Sequence, residues 1–435
     1  MNNNIWAILR NSWASGDLRR KIMFTAGIII LFRIGANLPV PFLNSDTISS
    51  FFNADGSLLS YFNMLSGNTL AQGTVFALTV QPYINASIII QLLTVALPPL
   101  ERLAKDGGEA GRKKIQTITR YVTIGIALIQ AFGYYTILRY QANAIPSEYT
   151  TGAMGWIVMA AIVVLLMAGS MLVMWMGESI DEHGIGNGVS MILFASIVSR
   201  GIDLVLYGTA AIQQGNWWIV PLILILGLLM LCFIVFMDGA ERRIPIQYAK
   251  RQVGRKMYGG QSSFLPIKVA MTGVMPIIFT YAIVGLPATI AQFLSSDNGF
   301  RQWVEKWFST TSALYIILSF LLIIAFNYFY ISIQYNPVEI SNNIKNNGGT
   351  IPGIRPGKPT ADFIIKCVNK VTLFGALFLG VIAVLPYILQ VIFGDAVQGL
   401  AIGGTSVMIL VSVALETVKN LESQILMRHY KGFLE

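Results

Sequence analysis

Long hydrophobic runs separated by short polar segments dominate this chain. A helix needs about 20 apolar residues to cross the hydrocarbon core of a membrane. By this criterion the sequence predicts ten membrane-spanning helices. Their expected ranges are 22–40, 74–97, 121–138, 156–176, 185–206, 218–237, 269–293, 313–333, 371–393 and 401–418. The fifth is the weakest, because GIGNGVSMILFASIVSR reaches Arg200 soon after its glycine-rich start.

Ten spans divide into two groups of five with opposite orientations, as in transporters built from inverted repeats. The second span begins TVQPYINASIII with Pro82, and the seventh begins TGVMPIIFTYAIVGLPAT with Pro276. Because proline removes a helical hydrogen bond, the matched positions indicate two hinged helices that face each other. Prolines are also common in ordinary membrane helices, so the residues alone leave both interpretations open.

A short amphipathic stretch, FNMLSGNTL at 62–70, lies directly before the second span. It is too apolar for an ordinary surface loop. It is also too short, and too interrupted by polar residues and glycine, to cross a membrane. Gly67 and Asn68 are residues that allow the chain to turn there.

Composition and charge support a membrane protein with a defined orientation. Of the residues, 54% are hydrophobic and only 12% charged, whereas soluble domains carry about 25% charged residues. A polar, basic segment, Met1–Arg20, leads directly into the first apolar run, which predicts an uncleaved first span. The six segments on the side of the N-terminus hold 25 of the 30 Lys and Arg residues. Basic loops face the cytoplasm, so we expect both termini there.

The sequence offers no catalytic, metal-binding or cofactor-binding motif. Ionisable residues inside membranes are usually functional, but here they are scarce. Arg33 is expected to have a structural role near the outer end of its span, and Glu416 to pair with Lys419. GIGNGV lacks the spacing of a dinucleotide-binding loop, and GIRPGKPT has Pro359 where a phosphate-binding loop needs Ser or Thr. We therefore expect no enzyme activity, and an energy source outside this chain.

Two long polar segments, 238–268 and 334–370, stand out on the expected cytoplasmic side. Connections of this length are usually functional or disordered. The first alternates bulky and cationic residues, which suits a projecting hairpin, and the second holds Arg355 between Pro352 and Pro356. Attraction to anionic lipid, binding to RNA and docking of a protein all fit the charge. The long, proline-stiffened form favours a macromolecular partner.

Several stretches, in this order along the chain, resemble the SecY family of bacterial protein-conducting channels. They are FRIGANLPVP (32–41), FNMLSG (62–67), FALTVQPYINASIIIQLLT (76–94), GIGNGVS (184–190), ERRIPIQYAKRQ (241–252), GIRPGKPT (353–360) and GGTS (403–406). The resemblance implies an all-α polytopic membrane protein with ten transmembrane helices in two pseudo-symmetric inverted five-helix halves. It also implies a short re-entrant plug helix near 57–70, which answers the question raised by the amphipathic stretch.

The resemblance further implies a set of functional residues. The expected plug comprises Tyr61, Phe62, Asn63, Met64, Leu65, Ser66 and Gly67. The expected ring of aliphatic side chains at the pore waist comprises Val80, Ile84, Val189, Leu193, Ile278 and Ile409. The expected lateral gate has hinges at Pro82 and Pro276. The expected partner-docking residues are Arg242, Arg243, Lys250, Arg251 and Arg355. Core packing alone would also explain apolar residues at the ring positions.

By the same resemblance, the chain is the pore-forming subunit through which unfolded preproteins cross the bacterial plasma membrane and from which membrane segments leave laterally. The implied partners are the small membrane subunits SecE and SecG, the SecA ATPase, a translating ribosome, preprotein signal sequences and membrane lipid. The expected segments are 1–21, 22–207, 208–237, 238–268, 269–333, 334–370, 371–418 and 419–435. The main alternative is a secondary transporter of a small solute with inverted repeats; missing intramembrane carboxylates and oversized loops count against it. A membrane-embedded hydrolase lacks the required residues.

Overall fold

The computed structural model of this chain is mostly helical. It describes residues 10, 12–52, 67–105, 107–199, 201, 209, 213, 218–248, 251–253, 256–258, 262–291, 294, 298–309, 312–393 and 404–431. The chain forms two compact units. The first comprises Met1–Gln214, Val284–Ser312 and Val413–Glu435, and the second comprises Gly215–Ile283 and Ala313–Ser412. The first unit therefore contains the N-terminal half expected from the sequence together with two later segments.

Most of the first unit comes from the N-terminal part of the chain. Its helices are α1 (Gly16–Gly35), α2 (Ser45–Phe52), α3 (Gln81–Ala96), α4 (Pro98–Lys105), α5 (Gly108–Tyr140), α6 (Gly152–His183) and α7 (Gly188–Ser199), with a 3-10 turn at Ser147–Tyr149. A core cluster packs α2 against the C-terminal part of α5 and the N-terminal part of α6. Its fully buried side chains include Ile48, Phe52, Leu138, Ile162 and Leu166.

The second unit combines helices with short strands. After α8 (Ile219–Gly239) come β1 (Glu241–Tyr248), β2 (Arg251–Val253), β3 (Lys256–Tyr258) and β4 (Ser262–Lys268). The chain continues with α9 (Met275–Ala291), α10 (Gly299–Trp307), α11 (Ala313–Gln334), α12 (Pro337–Asn346), β5 (Gly349–Thr350), α13 (Lys358–Phe393) and α14 (Gly404–Lys431). Helix α10 belongs to the first unit, whereas α9 and α14 each have residues in both units.

The strands form a hairpin with one added strand. β1 and β4 are antiparallel, with Glu241 opposite Lys268 and Gln247 opposite Ser262. β5 pairs with the other edge of β1, where Tyr248 lies opposite Gly349, and β2 pairs with β3. The hairpin expected in the segment 238–268 is confirmed. The backbone pairing of this segment with the segment 334–370 was not predicted.

In the described part of the chain, five helices are long and apolar enough to cross a membrane, or six if the bent pair α3 and α4 forms one span. The five helical ranges are Gly108–Tyr140, Gly152–His183, Val220–Gly239, Ala313–Asn346 and Lys358–Ile392. They coincide with the third, fourth, sixth, eighth and ninth predicted spans. Helices α7 and α9 are apolar but shorter, so the count of ten stays a prediction.

The second predicted span, 74–97, is helical over a shorter range than expected. Helix α3 begins only at Gln81, and residues 67–80 form a series of turns that are largely buried. Irregular backbone at membrane depth is tolerated where protein buries it and satisfies its polar groups. The Tyr134 hydroxyl donates a hydrogen bond to the Leu70 carbonyl. The expected turn at Gly67 and Asn68 is confirmed, because both have positive φ, 70° and 73°.

Candidate pore segments and docking platform

The two matched prolines occupy the same position in their helices. Pro82 is the second residue of α3, and Pro276 is the second residue of α9. A proline in the first helical turn removes no intrahelical hydrogen bond, because the N–H groups there have no helical partner. Pro82 and Pro276 therefore lie at helix starts and not in helix interiors, so a hinge associated with them must lie in the residues that precede them.

The residues before the two prolines correspond closely. Three positions before each proline the backbone has positive φ, 48° at Thr79 and 57° at Gly273. Seven positions before each proline is a valine whose N–H donates to a carbonyl just after the preceding long helix. The Val75 N–H donates to the Leu38 carbonyl, and the Val269 N–H donates to the Ala240 carbonyl, both at 2.9 Å.

Each of these valine carbonyls also lies against a helical glycine. A Cβ built on Gly169 of α6 would lie 2.0 Å from the Val75 oxygen. A Cβ built on Gly375 of α13 would lie 2.4 Å from the Val269 oxygen. The starts of α3 and α9 thus share a local architecture, as the inverted-repeat prediction requires, and the prolines were the only part of it visible in the sequence.

Four residues of the expected pore ring belong to the first unit. Val80 immediately precedes α3 and has no exposed surface. Ile84 and Val189 are half-buried in the same apolar cluster, with Phe32 and Ile192 among its buried members. Leu193 is buried one turn after Val189 on α7.

The other two ring residues, Ile278 and Ile409, belong to the second unit, half-buried on α9 and buried on α14 respectively. The convergence of all six side chains on one axis stays a prediction.

The N-terminus of α7, which carries two of the expected ring residues, is held by local contacts. The Asp181 carboxylate accepts a hydrogen bond from the Gly188 N–H at 2.7 Å. The Asn187 side-chain oxygen accepts one from the Ser190 N–H at 3.0 Å. A Cβ on Gly188 would lie 1.9 Å from the Gly177 oxygen, so only glycine fits. These contacts determine where Val189 lies, and sequence reasoning missed the role of Asp181.

The expected plug lies mostly outside the described residues. Tyr61, Phe62, Asn63, Met64, Leu65 and Ser66 are not among the residues described. Gly67 is buried, and a Cβ there would lie 2.8 Å from the Ser196 oxygen of α7. The plug assignment therefore stays a prediction, with Gly67 as its described end.

The two long polar segments share one hydrophobic core, which we call the platform (residues 241–248, 262–268 and 335–357 with the first turns of α13). Its buried side chains come from both segments and from the adjoining helices: Ile244, Ile246, Ile267, Ile331, Ile344, Ile351, Ile364 and Val368. Gly349 lets β5 approach, because a Cβ there would lie 2.9 Å from the Tyr248 ring and 3.1 Å from Ile246. The platform is therefore one packed body.

The predicted docking residues of the first segment differ in their surroundings. Arg242 and Arg243 are both exposed on β1. Arg243 is already engaged, since its Nε lies 2.6 Å from the Glu241 carboxylate and its guanidinium lies 4.8 Å from the centre of the Phe264 ring. Lys250 lies outside the described residues, and Arg251 is described only through its backbone in β2.

Arg355 is exposed on a tightly held loop. The buried Thr360 hydroxyl donates to the Arg355 carbonyl at 2.9 Å, and the buried Ser341 hydroxyl donates to the Gly357 carbonyl at 2.8 Å. Gly353 and Gly357 have φ of 81° and 101°, a region that favours glycine. The loop backbone is therefore fixed while the guanidinium stays available. The roles of Ser341 and Thr360 could not be read from the sequence.

Comparisons with solved structures show the fold of this chain. A solved structure of a protein-conducting channel has a TM-score of 0.67 at 17% identity, covering 93% of this chain and 92% of that chain. Sec61 in the canine ribosome–channel complex from the endoplasmic reticulum has a TM-score of 0.65 at 16% identity, covering 93% and 92%. At these identities the likeness establishes the fold, that of a multi-pass helical membrane protein.

Relatives found by sequence share a higher identity with this chain. Residues 74–418 match the SecY family. Protein translocase subunit SecY of Streptomyces galbus and of Mycobacterium bovis are each 42% identical to this chain, covering 96% of it and 97% of the relative. The chain belongs to the SecY family.

Proposed function

We propose that this chain is the pore-forming subunit of a protein translocation channel, through which unfolded preproteins cross the bacterial plasma membrane. The observation that carries the proposal is 42% identity to translocase subunits over 96% of the chain. Both termini lie in the cytoplasm, because most Lys and Arg residues lie in the segments on that side. The small-solute transporter gains no support from these relatives.

In this proposal the pore closes by an apolar constriction. Val80, Ile84, Val189, Leu193, Ile278 and Ile409 form a ring of branched side chains. Such a ring has no groups to replace the hydration shell of an ion, and apolar constrictions can gate by loss of water. The half-buried Ile84 and Val189 support the ring, since each belongs to a packed cluster yet keeps exposed surface.

The plug, Tyr61–Gly67 within 57–70, adds a second closure on the outer side. The described Gly67–Leu70 is buried and held by Tyr134, so a deletion of residues 57–66 spares the packed part. We expect this deletion to raise the ion conductance of the resting channel in planar bilayers. Conductance equal to that of the wild type would contradict the plug assignment.

The lateral gate lies between α3 and α9, and signal sequences or membrane segments leave there into lipid. A signal sequence shifts the closed–open equilibrium only if it binds the open form more tightly. The proposed hinges, Pro82 and Pro276, mark the starts of these two helices, and a residue with positive φ lies three positions before each proline.

The platform is the docking surface for the SecA ATPase and for a translating ribosome, while SecE and SecG are the small membrane partners. Arg355 is its principal contact, because it is the exposed cation on a loop held by two buried hydroxyls. Arg242 adds a second exposed cation, and Lys250 and Arg251 follow in sequence. Arg243, already paired with Glu241, contributes less.

Reconstitution with SecE, SecA, ATP and a preprotein tests this function through the yield of protease-protected product. Arg355→Glu should abolish transport while the folded complex persists. Lys114→Glu, a charge reversal at an exposed position of α5 outside the platform, is the control and should retain most activity. Solute counterflow without preprotein transport would overturn the proposal in favour of the transporter.

Thr360→Val refines the docking test. It keeps the shape of the side chain but removes the hydrogen bond to the Arg355 carbonyl, which releases the loop without removing the cation. We expect weaker SecA binding by protein that still folds, with a modest fall in melting temperature, and recovery of both with Thr360→Ser. Unchanged binding in Thr360→Val would mean that loop rigidity has no part in docking.

A further inference from the structure

Helix α10 presents three large aromatic side chains on one face. Phe300, Trp303 and Trp307 follow the spacing of a single helical stripe. Their side chains are 43%, 48% and 41% exposed. The Phe300 and Trp303 rings stack with their centres 6.3 Å apart. The described protein therefore leaves this aromatic stripe half uncovered.

Contacts on the other sides of α10 hold the helix in place. Val304 and Phe308 are buried, with 1% and 8% exposure. The Asn298 side chain caps the helix by accepting a hydrogen bond from the Phe300 N–H at 2.9 Å. The Arg301 guanidinium donates to the Leu294 carbonyl at 3.2 Å. Because the helix cannot rotate freely, the exposed aromatic stripe is a fixed feature of the surface.

The position of α10 in the chain indicates what covers the stripe. The helix lies in the short connection between α9 and α11, both expected to cross the bilayer, so it is tethered at a membrane surface. Tryptophan is enriched at the boundary between hydrocarbon and headgroups. Lys306 lies at the edge between the stripe and the polar face of α10, with its Nζ 5.7 Å from the centre of the Trp307 ring, so the long side chain can reach the headgroup region while position 306 itself faces water.

We propose that α10 lies parallel to the membrane and binds the phospholipid surface through Phe300, Trp303 and Trp307. Amphipathic helices of this kind bury their apolar face at the boundary between headgroups and acyl chains. Given the orientation proposed above, this is the outer leaflet. The bound helix anchors the C-terminal end of α9, while the start of that helix remains free to bend.

Spin labels can test the proposal directly. The chain has two cysteines, so Cys232→Ser with Cys367→Ser gives a background for single labels at positions 300, 302, 303 and 306, with the protein in phosphatidylglycerol-containing vesicles. We expect labels at 300 and 303 to collide mainly with dissolved oxygen, and labels at 302 and 306 mainly with a water-soluble nickel chelate. The ratio of the two accessibilities should differ several-fold between the two pairs.

Two results would overturn the proposal. Equal ratios at all four positions would mean that the helix stays in water. Low accessibility of 300 and 303 to both reagents would mean that protein, not lipid, covers the stripe.

A second measurement avoids labels. Quenching of tryptophan fluorescence by brominated phospholipid should fall in Trp303→Phe with Trp307→Phe, and an unchanged quenched fraction would equally overturn the proposal. A preserved melting temperature verifies folding in every variant, and Trp307→Cys replaces position 300 or 303 if a label there prevents folding.

Discussion

The starts of α3 and α9 have the same architecture but differ in how tightly it is held. At α3 the residue with positive φ is Thr79, whose side chain is 2% exposed and whose carbonyl accepts a hydrogen bond from Ser170 at 3.2 Å. At α9 the residue is Gly273, and a Cβ there would meet nothing within 4 Å. The residue with positive φ is therefore packed and hydrogen-bonded at the start of α3, whereas at the start of α9 it is a glycine beside open space, next to the buried Thr272 that donates to Asn327 at 3.0 Å.

This difference assigns distinct roles to the two sides of the proposed gate. A threonine held at φ 48° is strained, and strain of this kind persists only where the surroundings determine the conformation. A glycine at φ 57° is unstrained. We therefore expect α9 to move during opening, while α3 stays with the packed first unit.

The largest expected effect comes from the contact that both starts share. Gly169→Leu and Gly375→Leu would each drive a side chain into a valine carbonyl, and overpacking of buried backbone costs about 3 kcal/mol. We expect both variants to lose well over half of the purified folded protein, measured by size-exclusion chromatography and thermal unfolding. Gly125→Leu, at an exposed helical glycine with no atoms nearby, is the control. If only one variant were affected, the correspondence between the two starts would fail.

A smaller effect is expected when the hydrogen bond that holds the start of α3 is removed. Ser170→Ala deletes the hydrogen bond to the Thr79 carbonyl and leaves that buried oxygen without this donor, at a cost of about 1–2 kcal/mol. The melting temperature should fall, and amide exchange at residues 76–81 should accelerate. Ser332→Ala, at an exposed serine of α11, should change neither. Unaltered exchange at 76–81 would show that the Ser170 hydrogen bond does not hold this segment.

A substitution at the start of α9 should lower the stability by a similar amount but reduce transport more. Gly273→Ala places a side chain at positive φ, which costs about 1 kcal/mol. Transport should fall more than stability, because the preferred φ of alanine biases the moving segment. Gly273→Asn should recover part of the rate, since asparagine tolerates this conformation. Gly227→Ala in α8 is the control. Transport at the wild-type rate by Gly273→Ala would contradict a hinge at this residue.

The smallest effect is expected when the first start is made to resemble the second. Thr79→Gly relieves backbone strain but loses buried contacts, and these contributions of about 1 kcal/mol each oppose one another. The melting temperature should therefore change little, while exchange at residues 76–81 rises. A large loss of stability would show that the Thr79 side chain, more than its backbone, holds the segment.

Much of the fold could be predicted because periodicity and composition act locally. The long apolar runs predicted five helices that are long and apolar enough to cross a membrane. The turn at Gly67 and Asn68 followed from residue type, and alternating residues indicated the hairpin of β1 and β4. The matched prolines were visible, but the positive φ at Thr79 was not, because a β-branched residue does not signal that conformation. Only tertiary packing against α6 imposes it.

The platform shows which features could not be predicted from the sequence. Strand β5 has only two residues, Gly349 and Thr350, so it has no alternation to detect. Its pairing with β1 joins two segments that are far apart in the sequence, since Gln247 and Thr350 are separated by 103 positions. The exposed Arg355 could be anticipated from its prolines, whereas Ser341 and Thr360 are ordinary polar residues until the loop closes over them.

The pairing of β5 with β1 has a mechanical consequence. In the docking proposed above, a partner bound at Arg355 or Arg242 would act on both segments at once, because the two segments share strand pairing and a hydrophobic core. Because β4 leads into α9 and the shared core includes Ile364 and Val368 of α13, we expect such a force to reach the starts of both helices.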